Sequence, residues 1–185
     1  MNRFFNVIPG EDACCILLYG DIGEYSDVTA AAIVRELMEA EASGKRIDVR
    51  INSNGGDVYT GIAIFNALRG SKADIHIYVD GIAASMASVI ALCGKPVEMS
   101  KYARLMLHSV SGGCYGNKTE LRRCLEEVEA LENTLCEMYA PKLGTSVEEI
   151  RARYFDDADH WLKADEALAL GFIDGVYDAD PVPED

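Results

Sequence analysis

Apolar and polar positions alternate along this chain with two different periods, and the switches between them predict its elements. Ala13 to Leu18 is a mostly apolar run of strand length closed by Gly20-Asp21, the mark of a buried strand. Beyond it, Ala30, Ile33, Val34, Leu37 and Met38 follow the 3.6-residue period of a helix packed by one face, with Ser26 or Asp27 as its cap and Ser43-Gly44 as its stop. Arg46 to Ser53 returns to period two, and the turn Asn54-Gly55-Gly56-Asp57 leads into a helical stretch over Val58 to Leu68 that Gly70 ends. The unit then repeats: Ile75, Ile77 and Val79 alternate as a strand, and Gly81 leads into the apolar run Ala83 to Cys93, read as a buried helix capped by Gly94.

The second half is more polar. Val97 to Met99 and Tyr102 to His108 read as short strands, and Gly112-Gly113 and Gly116 open a loop. Asn117 to Glu120 has capping-box spacing for a long helix to about Tyr139, with Leu121, Leu125, Val128, Leu131 and Leu135 along one stripe and Pro141 and Gly144 closing it. Ser146 to Glu149 is a second capping box, whose helix fades near Phe155 into an acidic loop, 156–160; a short helix, Ala164 to Leu170, ends at Gly171. Strands alternating with helices predict an α/β class with a largely parallel sheet.

Composition narrows the function. The chain has 185 residues with an ordinary apolar fraction, enough for one domain with one core and too apolar for a disordered protein. Its formal net charge is −14, which repels phosphate backbones and anionic lipid and speaks against nucleic-acid and membrane partners. Four of the acids lie in 178–185, which reads as a solvated tail. No signal-peptide core is present, and the longest uncharged run, Gly81 to Gly94, is too short to span a bilayer. The six cysteines form no Cys-x-x-Cys pair, so neither a metal site nor a disulfide framework is expected, and the compartment reads as reducing.

Few residues are candidates for chemistry. Ser85 follows a strand and a glycine, where an α/β fold presents groups to ligands, although by itself such a serine more often packs a helix. His76 sits at an alternating strand position, facing solvent or paired, and His160 lies in the acidic loop. His108 ends an apolar strand just before a loop, where a parallel sheet exposes functional groups. A serine needs a histidine base, and the base needs a carboxylate that fixes its tautomer; an acid of 156–159 could provide it. The paired glycines Gly55-Gly56 can aim backbone N–H groups at an oxyanion or a phosphate. Neither a Gly-x-Gly-x-x-Gly fingerprint nor a Walker lysine is present, so nucleotide binding lacks support.

Four blocks, Ile51 to Asp57, Gly81 to Ala87, Leu105 to Ser109 and Trp161 to Asp174, resemble in order and spacing the proteolytic subunit of the Clp protease, ClpP. The resemblance implies a ClpP/crotonase-like fold of strand-turn-helix units with a protruding "handle" helix over about 118–139, in one protease domain over 1–177. It implies a serine endopeptidase acting through an acyl-enzyme, with Ser85 as nucleophile, His108 as general base and Asp159, two residues before Trp161, as the acid. The backbone N–H groups of Gly56 and Met86 become the oxyanion donors, and Val58, Gly112 and Gly113 the places where extended peptide pairs. No metal or organic cofactor is implied. The partners it implies are polypeptide substrate and further copies of the chain in heptameric or stacked rings, and the compartment it implies is the cytoplasm.

Three departures accompany this. Asn54 stands where the family usually has proline in the glycine turn, and Lys163 where it often has a helix-capping serine, a change expected to weaken the cap by about 1 kcal/mol. The chain also starts close to its first strand, which leaves docking of an AAA+ unfoldase open. The short length and acidic tail are similar to phage or prophage head-maturation proteases. Two alternatives share the fold: a crotonase-like acyl-CoA enzyme, which needs no Ser-His-Asp set, and a non-catalytic ring or scaffold subunit.

Overall fold

A computed structural model describes residues 7–9 and 12–178. The sheet begins with β1 (Val7–Pro9), antiparallel to β2 (Ala13–Tyr19), and continues in parallel through β3 (Arg46–Ser53), β4 (Ile75–Ala84), β5 (Val97–Met99) and β8 (Gly175–Val176). Helices α1 (Ala30–Ala42) and α2 (Val58–Gly70) are the crossovers that parallel strands require. Their apolar stripes, Ile33 and Leu37 on α1 and Ile64 and Leu68 on α2, join one core with Ile16, Leu18, Ile47, Val49, Ile51, Ile75, Ile77 and Val79. These strand residues are all essentially fully buried, each contributing about 1.5–3 kcal/mol relative to exposure.

Only one face of these strands is covered so completely. The intervening residues of β3 and β4 are partly exposed and polar, which is why the strands read as alternating rather than as the continuous apolar runs of a sheet buried on both faces. On this second face Arg50 pairs with Asp80, and the Tyr19 and Tyr177 hydroxyls donate to the same carboxylate at 2.6 and 2.9 Å. Burial and the Asp80 carboxylate together push the Tyr19 phenol up to about 12.

β4 is the strand that organises the site. It pairs with β5 over Ile77–Val79, then with β6 (Arg104–Leu107) over Ile82–Ala84, and β7 (His160–Lys163) adds antiparallel to β6. The run Ala83 to Cys93 is therefore not one helix: it is strand to Ala84, and α3 covers only Met86–Ala91. Every residue of α3 is buried, so its apolar sequence has no helical period by which to locate the boundary.

Other boundaries moved for local reasons. Thr29, not Ser26 or Asp27, caps α1 by accepting from the Ala32 amide at 3.1 Å, while the Asp27 carboxylate accepts from the Asp21 amide. The long helix α4 (Lys118–Leu143) runs through Pro141 and ends on Gly144, whose φ of 61° suits glycine. Asn117 forms the expected capping box with Glu120. The stripe of α4 is buried only toward its C-terminal end, at Leu135, while Leu121 and Leu125 are exposed. In α5 (Val147–Tyr154) Ser146 accepts from the Glu149 amide as predicted, but the Glu149 side chain bonds Thr145 instead of closing the box. Helix α6 (Ala164–Ala169) lacks a cap acceptor at Lys163, yet Glu166 accepts from the Lys163 amide at 2.8 Å and keeps half of the box. Asp178, read as the first tail residue, accepts from Ser100 Oγ; the rest of the tail lies outside the described residues. Among those described, no helix is long and apolar enough to cross a membrane.

Candidate active site

The end of β4, the turn after β3, the end of β6 and the loop before β7 meet at one point. Ser85 is the hinge between β4 and α3, with φ 52° and ψ −126°, a conformation that costs a non-glycine residue about 1–3 kcal/mol. It is held there on both sides: its amide donates to Met106 O at 2.9 Å, and its carbonyl accepts from the Ser88 amide and hydroxyl at 3.0 and 2.6 Å. The strained turn lifts the side chain off the sheet toward His108, the residue after β6. His108 Nε2 lies 2.7 Å from Ser85 Oγ.

Glycine is required where the β3 turn approaches this hinge. A Cβ on Gly55 would lie 2.6 Å from Ala84 O and 2.8 Å from Ser85 Cβ, and one on Gly56 would lie 2.0 Å from Ile22 O. Both also have positive φ, 96° and 145°. Asn54 leaves both glycines in place. Met86 is the first residue of α3, so its amide is among those a helix leaves without an internal acceptor. Gly56, Ser85, Met86 and His108 line one small cavity with Val58, and Ser109 to Ser111 form another wall.

The acidic loop is ordered by contacts that its sequence did not reveal. Antiparallel pairing sets Leu107 opposite His160, which brings the preceding residue, Asp159, beside His108. Asp159 Oδ1 stands 3.7 Å from His108 Nδ1, an ion-pair separation longer than a hydrogen bond, and its side chain is 59% exposed. Asp157 has φ 67°, and its amide donates to the buried Ser109 hydroxyl at 3.0 Å. Asp156 turns the other way, accepting from His160 Nε2 at 2.7 Å, and this bond holds its carboxyl below the ordinary carboxylate range. His160 is thus no free surface histidine: it opens β7 and sets its ring edge-on to Tyr154. His76 is paired, 3.3 Å from Asp74.

Two residues that support the site escaped the sequence reading. Tyr139 of α4 is buried behind α3, with its hydroxyl 2.6 Å from Ser88 Oγ, and burial pushes its phenol far up. Gly61 of α2 leaves room for Met86, whose Cγ would be 2.1 Å from a Cβ there. The tyrosine carried a signal in the helical stripe, but nothing in sequence tells which face of α4 meets α3. Of the residues assigned to peptide pairing, Val58 lines the cavity, while Gly112 and Gly113 are exposed and do not line it.

The Clp protease family model matches residues 12–180, spanning every block singled out above. The chain belongs to the Clp protease family. Among curated relatives of this Clp-family chain, an ATP-dependent Clp protease proteolytic subunit of Bacteroides fragilis is 32% identical over 157 residues, covering 83% of this chain and 75% of the relative. The ATP-dependent Clp protease proteolytic subunit 1 of Prochlorococcus marinus subsp. pastoris is 35% identical over 158 residues, covering 83% and 80%. The mixed α/β architecture with its parallel sheet is the fold of this family.

Proposed function

We propose that this Clp-family chain is a serine endopeptidase that hydrolyses polypeptide through an acyl-enzyme. The observation that carries the reading is the 2.7 Å contact between Ser85 Oγ and His108 Nε2 at a strained strand-to-helix hinge. With His108 neutral and its proton on Nδ1, Nε2 takes the Ser85 proton as Oγ attacks the carbonyl carbon, then returns it to the leaving amine. The developing oxyanion is met by the Gly56 and Met86 amides, which the glycine turn and the start of α3 hold in place before substrate arrives. Asp159 faces the imidazolium that forms and favours it. In the acyl-enzyme, water takes the place of the amine and the same base activates it.

The names of the relatives support the reading, as does the placement of these groups around one cavity. An acyl-CoA enzyme of related fold has no use for a serine bonded to a histidine. Docking of an ATP-driven partner follows the relatives' names, which describe their proteolysis as ATP-dependent. The exposed Leu121 and Leu125 on α4 favour association of copies through that helix.

The test is labelling with a fluorophosphonate followed by intact-mass measurement. A single adduct on the wild-type chain, absent from Ser85→Ala, is expected; equal labelling of the variant refutes the nucleophile. Asp159→Asn is expected to depress peptide turnover far more than Asp157→Asn, whose side chain is replaced without losing the amide that bonds Ser109. Light scattering reads assembly: a mass near that of one 20.2 kDa chain at all concentrations refutes the ring.

A further inference from the structure

Asp159 is the least anchored member of the site. Its side chain is 59% exposed and reaches His108 Nδ1 only at 3.7 Å, and a solvent-screened ion pair of that kind is too weak to hold a loop in place. Other contacts must therefore hold the loop, and they set the distance between acid and base.

Two kinds of contact act on 156–159. The first is internal: the Asp156 carboxylate accepts from His160 Nε2 at 2.7 Å and from the Ala158 amide at 3.2 Å, which fixes the shape of the turn but not its separation from His108. The second kind ties the loop to the segment that carries the base. The β6–β7 ladder ends with Leu107 opposite His160, and continuing its register sets His108 opposite Asp159 and Ser109 opposite Ala158. Beyond that last backbone pair a side chain takes over, because the Ser109 hydroxyl accepts from the Asp157 amide at 3.0 Å. Among the described residues, this is the one hydrogen bond that joins 156–159 to the chain after β6. Ser109 is 8% exposed, so little water reaches the hydroxyl to take its place. Asp157 has φ 67°, a backbone state that a non-glycine residue keeps when its surroundings hold it there.

We infer that Ser109 is a positioning residue for the proton transfer: its hydroxyl, bonded to the Asp157 amide, keeps Asp159 beside His108 Nδ1. The inference rests on the peptidase reading, in which Asp159 favours the imidazolium that forms when His108 takes the Ser85 proton. Ser109 exchanges no proton in this cycle and acts through the placement of the loop. Without the hydroxyl the Asp157 amide loses its protein acceptor, the turn relaxes, and the exposed Asp159 carboxylate moves into solvent. The Ser85 hinge and the glycine turn do not depend on this bond, so the step that suffers is the proton transfer rather than peptide binding.

The closing experiment is a double-variant cycle on the full chain, with kcat and KM for a peptide measured in wild type, Ser109→Ala, Asp159→Asn and the double variant, and with melting temperature and oligomeric mass checked for each. Ser109→Ala should lower kcat about tenfold at unchanged KM, the size expected when a buried amide loses its acceptor. In the Asp159→Asn background the same change should alter kcat by less than about twofold, because no carboxylate is left to place. Equal losses in both backgrounds overturn the inference, since a merely structural role is additive. An unchanged or raised kcat in Ser109→Ala, or a loss that appears only in KM, overturns it as well. If Ser109→Ala does not fold, the pair Ser109→Thr and Ser109→Val decides, because the two differ in the hydroxyl and hardly in shape: threonine should keep turnover and valine lose it, and equal rates overturn the inference. Failure of the peptidase reading shows separately, as wild-type protein that does not phosphonylate at Ser85. Hydrogen exchange still reads the tie in that event: the Asp157 amide should exchange faster in Ser109→Ala than in wild type, and equal exchange refutes it.

Discussion

The pair Tyr139 and Ser88 offers a quantitative test of how α4 supports the nucleophile hinge. The Ser88 hydroxyl has one hydrogen, and its contact with Ser85 O, 2.6 Å, is to a carbonyl that can only accept. The hydrogen is therefore committed there, and the Tyr139 hydroxyl must donate to Ser88 Oγ across 2.6 Å. Tyr139→Phe removes that donor but leaves the Ser88 bond to Ser85 O, so the loss is about 1 kcal/mol. Ser88→Ala is worse, because it strands the phenol at 2% exposure and takes the hydroxyl donor from the Ser85 carbonyl, which keeps the Ser88 amide at 3.0 Å; about 2–3 kcal/mol is expected. In the double variant no phenol is stranded, so its loss should fall short of the sum by about 1 kcal/mol. Denaturant titration at fixed protein concentration measures each corner of the cycle, and calorimetry should show Tyr139→Phe melting about 2–4 °C lower. Single losses that add within about 0.3 kcal/mol in the double variant would refute the coupling. Loss of Ser85 labelling in Ser88→Ala, with labelling kept in Tyr139→Phe, would locate the effect in the hinge carbonyl.

Other expectations follow from single contacts. Gly56→Ala places a Cβ 2.0 Å from Ile22 O, so the turn must shift; peptide turnover should collapse while Ser85 and His108 remain, and near-normal turnover would remove Gly56 from the site. Asp156 is lowered by its bond to His160, so the stabilisation from that bond is complete above the ordinary carboxylate pKa and disappears as pH falls through the lowered one; melting of Asp156→Asn against wild type should differ at neutral pH and converge in acid. Burial pushes Cys93 and Cys136 up to about 11, so at pH 8 a chromogenic disulfide should titrate Cys114 well before either, and early modification of Cys136 in native protein would contradict its burial.

The features legible from the chain alone are local and periodic. Strands such as Ile47-Val49-Ile51, the capping box at Asn117 and the stop at Gly144 were legible because each depends on neighbours within a few residues. The two glycines of the β3 turn were legible as a turn, and their necessity came from tertiary contact, Gly55 with Ala84 and Gly56 with Ile22. The strand-to-helix break at Ser85 was not legible, since a fully buried segment carries no period and the break is forced by pairing of Ile82 to Ala84 with β6. Which acid of 156–159 faces His108 came in sequence only from family resemblance; in the structure it follows from the β6–β7 register, because antiparallel pairing of Leu107 with His160 makes Asp159 the neighbour of His108. The role of Tyr139 belongs wholly to tertiary structure. It depends on which face α4 turns toward the body, and that choice is made by packing against α3 and α5 rather than by anything within the helix.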